Sequence, residues 1–102
     1  MQDFLEASQT KIAEICVTHR VRRLAVFGSA VRDDFDSERS DVDLLVEFER
    51  FDDSNPLGTY FRLQEALEEV FERKVDLIEA GSVRNPYIQR AIERDEKTLY
   101  AA

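Results

Sequence analysis

Two short apolar runs, RRLAVF at Arg22–Phe27 and DVDLLVEF at Asp41–Phe48, constrain this chain more than any other feature. In the second, Val42, Leu44, Val46 and Phe48 alternate at period two, so an extended backbone puts them all on one face. Asp41 and Asp43 then share the opposite face. The first run is closed by Gly28-Ser29, as a buried strand entering a turn would be.

The flanking segments follow the helical period instead. Phe4, Leu5, Ile12, Ile15 and Cys16 predict a helix from Asp3 to about His19. Pro56, with Ser54 or Asn55 to cap, opens a second helix that carries Leu57, Tyr60, Leu63, Leu67 and Val70 to about Glu72. Lys74–Glu79 reads as a third strand broken by Gly81, and Asn85-Pro86 opens a last helix with Tyr87, Ile88, Ala91 and Ile92. Thr98–Tyr100 reads as a short final strand, and the charged segment 30–40 has room for a short helix at most. This order predicts an α/β (α+β) fold, a small mixed sheet flanked by helices, with residues 1–102 as a single domain. Cys16, Tyr60, Phe61, Phe71 and Tyr87 are expected in the core, and His19 at a helix C-terminus is expected to cap it.

Composition excludes several classes of function. The 102 residues carry 14 Lys+Arg and 22 Asp+Glu, a net charge of −8, which disfavours direct binding of duplex nucleic acid because each phosphate contact draws on a cation. With 43% hydrophobic residues the chain is a folded one rather than a disordered tail. One cysteine rules out an internal disulfide framework and fits a reducing compartment. The start lacks the pattern of a signal peptide and no run has membrane-span length, so a cytoplasmic location is expected.

The chemistry concentrates in three places: Gly28-Ser29 after the first strand, Asp41-x-Asp43 opening the second, and Asp76 near the start of the third. They reach one sheet edge if the first two strands are antiparallel neighbours and the third runs parallel to the second. Two carboxylates side by side call for a cation, and an all-oxygen site suits Mg²⁺, which completes its shell with water and phosphate oxygens. A third carboxylate leaves room for a second metal. Gly28 lets the backbone approach a phosphate, and free N–H groups of a helical turn at Ser29 would face it. Each element has an ordinary reading too: a solvated strand start for Asp41 and Asp43, a water-facing edge residue for Asp76, a strand-ending turn for Gly28, and a surface ion pair for Arg32 among its acidic neighbours.

The ordered set Gly28-Ser29, Arg32, Ser40-Asp41-x-Asp43-Leu44 and Val75-Asp76-Leu77 resembles the signature of the DNA polymerase β-like nucleotidyltransferases. It is most similar to the minimal nucleotidyltransferases that act as antitoxins in HEPN–nucleotidyltransferase pairs. Eleven residues, Ala30 to Ser40, separate the two halves of the motif, a length a loop absorbs. The resemblance implies the polymerase β-like fold, with Asp41, Asp43 and Asp76 holding Mg²⁺ and Asp76 taking the acceptor's proton. It further implies that Gly28, Ser29 and Arg32 hold the phosphates of ATP. The implied acceptor is a hydroxyl, a tyrosine, on a HEPN-type toxin that forms a hetero-oligomer with this chain. Two alternatives stay open at this point: a binding module that neutralises its partner by contact, and a small-molecule nucleotidyltransferase completed by self-association.

Overall fold

The computed structural model describes residues 7–28, 41–50 and 54–102. In chain order the elements are α1 (Gln9–Thr18), β1 (Val21–Phe27), β2 (Val42–Phe48), α2 (Pro56–Phe71), β3 (Val75–Glu79), α3 (Pro86–Asp95) and β4 (Lys97–Ala101). The four strands form one mixed sheet in the order β3-β2-β1-β4. β1 is antiparallel to both β2 and β4, and β3 is parallel to β2, the crossover between them being α2. The expected antiparallel pairing of the first two strands and the parallel third are both present.

Alternation divides each strand between two faces. Leu24 and Val26 of β1, Val42, Leu44 and Val46 of β2, and Val75 and Leu77 of β3 meet Ile12 and Cys16 of α1 and Leu63, Leu67 and Phe71 of α2 in the larger core. Each fully buried Leu or Ile there contributes roughly 1.5–3 kcal/mol relative to exposure. The other face carries the smaller cluster of Ala25, Phe27, Leu45 and Ile92, covered by α3. Among the described residues, one face is thus closed by two helices, and the second only in part by one.

Local chemistry sets the ends of the elements. The Asn55 side chain accepts from Gly58 N–H at 3.1 Å with Pro56 in the first turn, and Asn85 accepts from Tyr87 N–H at 2.9 Å with Pro86 after it. α2 ends where Glu72 turns left-handed at φ 54. At the end of α1, His19 Nδ1 lies 2.8 Å from the Ile15 carbonyl oxygen, the capping role expected of it. The final strand is longer than Thr98–Tyr100, because pairing with β1 extends it to five residues. The first helix is described from Gln9, and its expected start at Asp3 lies outside the described residues.

Two expectations about the core fail. Phe71 is buried and Tyr60 half-buried, but Phe61 and Tyr87 are 53% and 77% exposed. Phe61 follows Tyr60 on α2 and so sits about 100° round the helix from the stripe that meets the sheet, its ring edge-on to Tyr60. Tyr87 lies at the start of α3, where only the Ile92 side reaches a core.

Candidate active site

The register brings the chemical residues to one edge. Phe27, the residue before Gly28, pairs with Asp43, and Asp43 pairs with Asp76 on the far side. In-register residues of neighbouring strands point to the same face about 4.8 Å apart, so Asp43 and Asp76 stand side by side on the face that α3 covers only in part. Asp41 precedes β2 by one residue and lies one pleat beyond Asp43 on that face. Asp41 and Asp76 are exposed and Asp43 half-buried.

Gly28 is fitted to this row. Its φ is +74, the left-handed region that favours glycine, and a Cβ placed on it would collide with the Asp43 carboxylate, whose Cγ would be 3.4 Å away. The backbone leaves β1 through the space a side chain would fill, directly against the central carboxylate. Ser29 and Arg32, the other residues expected to hold phosphate, lie outside the described residues.

Asp41, Asp43 and Asp76 offer only hard oxygen donors, the set that suits Mg²⁺. Among the described residues, no three carboxylate, imidazole or thiolate groups are drawn tightly enough together to surround one ion. The three aspartates share an edge and a face without converging on a point. Strand spacing of about 4.8 Å and a pleat repeat of about 6.6 Å separate their backbones, and the side chains must bridge the rest. The donor chemistry and the cradle at Gly28 fit the ion.

The free edge of β3 shows what sequence reading passed over. Tyr60, Gln64 and Glu68 recur every four residues on α2 and therefore form one stripe. Tyr60 donates to the Leu77 carbonyl, Gln64 Nε2 donates to the Val75 carbonyl at 3.0 Å, and Glu68 accepts from Val75 N–H at 3.0 Å. Outward-facing backbone groups of the strand that carries Asp76 are thereby satisfied by side chains. Burial, then the charges of Asp76 and Glu79, raise the Tyr60 pKa above its ordinary value. The i, i+4, i+8 spacing of polar-tipped residues was the available signal.

A four-stranded mixed sheet with Asp-x-Asp where the second strand begins, a third aspartate in register with Asp43 and a glycine turn against that same carboxylate defines a nucleotidyltransferase palm. The family model described as "Nucleotidyltransferase domain" matches residues 10–98, and the chain belongs to that family. A Methanocaldococcus jannaschii protein named as an inferred protein adenylyltransferase is 39% identical over 77 residues, 76% of this chain and 74% of the relative. A solved structure described as an inferred minimal nucleotidyltransferase is 31% identical with a TM-score of 0.73, covering 94% of this chain and 95% of that one. The fold also recurs in a chain of the solved complex of tri-AMPylated Shewanella oneidensis HEPN toxin with MNT antitoxin, which aligns with a TM-score of 0.64 at 18% identity, over 96% of this chain and 73% of that one.

Proposed function

We propose that this chain is a Mg²⁺-dependent protein adenylyltransferase, a single-domain antitoxin that moves AMP from ATP to a tyrosine hydroxyl of a HEPN-type toxin in the cytoplasm. The observation that carries the proposal is the row Gly28, Asp43, Asp76, in which a side-chain-free turn abuts the central carboxylate and a second carboxylate stands in register beside it. Relatives named as protein adenylyltransferases support AMP as the group transferred, and a solved HEPN toxin–MNT antitoxin complex with the same fold supports the partner. A protein acceptor also suits an acidic chain, because a net charge of −8 attracts the basic surface that an RNA-cutting toxin needs.

Asp41, Asp43 and Asp76 would hold Mg²⁺, which when bound offsets the charge on the triphosphate oxygens. Gly28 admits the phosphates close to the backbone, and Ser29 and Arg32 would hold them there. In the transfer, the acceptor oxygen forms a bond to the α-phosphorus while the bond from that phosphorus to the β-phosphate bridge breaks. Pyrophosphate leaves, and the hydroxyl proton passes to the Asp76 carboxylate, which is exposed and able to release it to solvent.

The test is to incubate the chain with the protein encoded beside it, ATP and Mg²⁺, and to measure the partner's intact mass and RNase activity. The expected result is added AMP on a tyrosine and loss of RNase activity, both abolished by Asp43→Asn. Neutralisation with no mass change, achieved equally by Asp43→Asn, would replace this reading with neutralisation by contact.

A further inference from the structure

The sheet face that carries Asp43 and Asp76 also carries a cleft of about 200 Å³ lined by Leu45, Ala80, Gly81, Val83, Gln89, Ile92, Glu93 and Glu96. Leu45 forms its floor and is two residues from Asp43 on the same side of β2, about 6.6 Å along the strand. That is the span of a ribose. Ala80, Val83 and Ile92 give apolar walls, and Gln89 and Glu93, one turn apart on α3, form one polar side with Glu96, the residue that caps the helix. Arg23 of β1 pairs with Glu96, which ties the end of α3 to the sheet and fixes this side of the cleft. Two other hollows open among the described residues, and the second of them reaches Ile78 on this face. One lies between α1 and α2 around Ile15 and Val70 on the opposite side of the sheet, and another lies at the β3 edge around Leu57 and Tyr60.

We propose that this cleft is the nucleobase subsite and that it selects adenine through Gln89 and Glu93. The proposal rests on the reading of ATP as donor and adds where the base goes. With the phosphates held at Gly28 and Asp43, a ribose lying along the strand delivers the base over Leu45, where a flat apolar ring buries its faces between Leu45, Val83 and Ile92. The ring edge then meets α3. The Glu93 carboxylate only accepts hydrogen bonds, and the Gln89 amide accepts and donates. An exocyclic amino group paired with a ring nitrogen satisfies both, whereas a 6-oxo purine in the same orientation sets its oxygen against the acceptor-only carboxylate. A site built to pair a polar group discriminates because the mismatched partner leaves that group unsatisfied.

The experiment compares binding of ATP, GTP and inorganic tripolyphosphate, each with Mg²⁺, by titration calorimetry. The proteins are the unaltered chain, Val83→Phe, which fills the cleft, and Gln89→Ala, an exposed helix position that leaves the core intact. Circular dichroism checks folding of each. The expected result is ATP binding tighter than tripolyphosphate, with Val83→Phe weakening ATP at least about tenfold, or 1.4 kcal/mol, and leaving tripolyphosphate unchanged. Gln89→Ala should reduce the preference for ATP over GTP. Equal ATP affinity in all three proteins, or ATP no tighter than tripolyphosphate in the unaltered chain, would overturn the subsite while sparing the proposed transfer chemistry. Binding of neither ATP nor tripolyphosphate would overturn the nucleotidyltransferase reading and the subsite with it.

Discussion

Gly28 and Asp43 form the tightest steric relation in the site, and it predicts an asymmetric mutational effect. Gly28→Ala must carry a Cβ at φ +74, which costs roughly 1–2 kcal/mol, and must push the Asp43 carboxylate aside. The expected outcome is a stability loss of that order in urea titration with a far larger loss of AMP transfer, since the displaced carboxylate is the central one. Cys16 makes the opposite case, a reactive residue type placed where it cannot react. It is fully buried, and burial lifts its thiol from 9.0 to about 12. It should resist alkylation at pH 8 in the native chain and react fully in denaturant, as intact mass will show. Because the folded pKa lies above the unfolded one, stability is unaffected by this thiol below pH 9 and falls between about pH 9 and 12, as the unfolded chain ionises first.

At the scale of elements, α2 both crosses between parallel strands and closes the sheet edge. Leu63, Leu67 and Phe71 bury its inner side, while Tyr60, Gln64 and Glu68 satisfy the outward backbone of β3. An unprotected edge strand is a template for another chain. Replacing Gln64 and Glu68 together with alanine should cost about 2 kcal/mol, near 1 kcal/mol for each hydrogen bond, and should bring concentration-dependent self-association. Chemical denaturation and light scattering across a concentration series measure the two effects. An unchanged association state with unchanged stability would show that these bonds do not protect the edge.

For the molecule as a whole, charge is distributed unequally. Residues 1–80 hold 10 cations and 19 anions, and residues 81–102 hold 4 cations and 3 anions, so the acidity lies outside the C-terminal helix and strand. Long-range attraction between such a chain and a basic partner is screened within about 10 Å at 0.1 M salt. Association with the proposed toxin partner should therefore slow steeply as salt is raised, with a much smaller change in dissociation, which stopped-flow mixing at several ionic strengths will resolve. A salt-independent association rate would remove electrostatic steering from the account.

The amino-acid order alone determined the strands, two of the helix starts and which residues are candidates for the chemistry. Alternation of Val42, Leu44, Val46 and Phe48, Asn-Pro pairs at two helix starts, and Gly28-Ser29 against Asp41-x-Asp43 are local signals, and local signals survive without a partner in view. Tertiary structure decided what depends on pairing. Register alone made Asp43 the neighbour of both Phe27 and Asp76, because a slip of one residue would have sent these carboxylates to the helix-covered face. Pairing with β1 lengthened the last strand, and the stripe of α2 that meets the sheet left Phe61 outside, since hydrophobic character does not say which side of a helix finds a neighbour. The cleft over Leu45 likewise belongs to no segment of the chain. It exists because α3 and the 80–83 loop close over one pleat of β2, a relation between residues more than thirty apart in sequence.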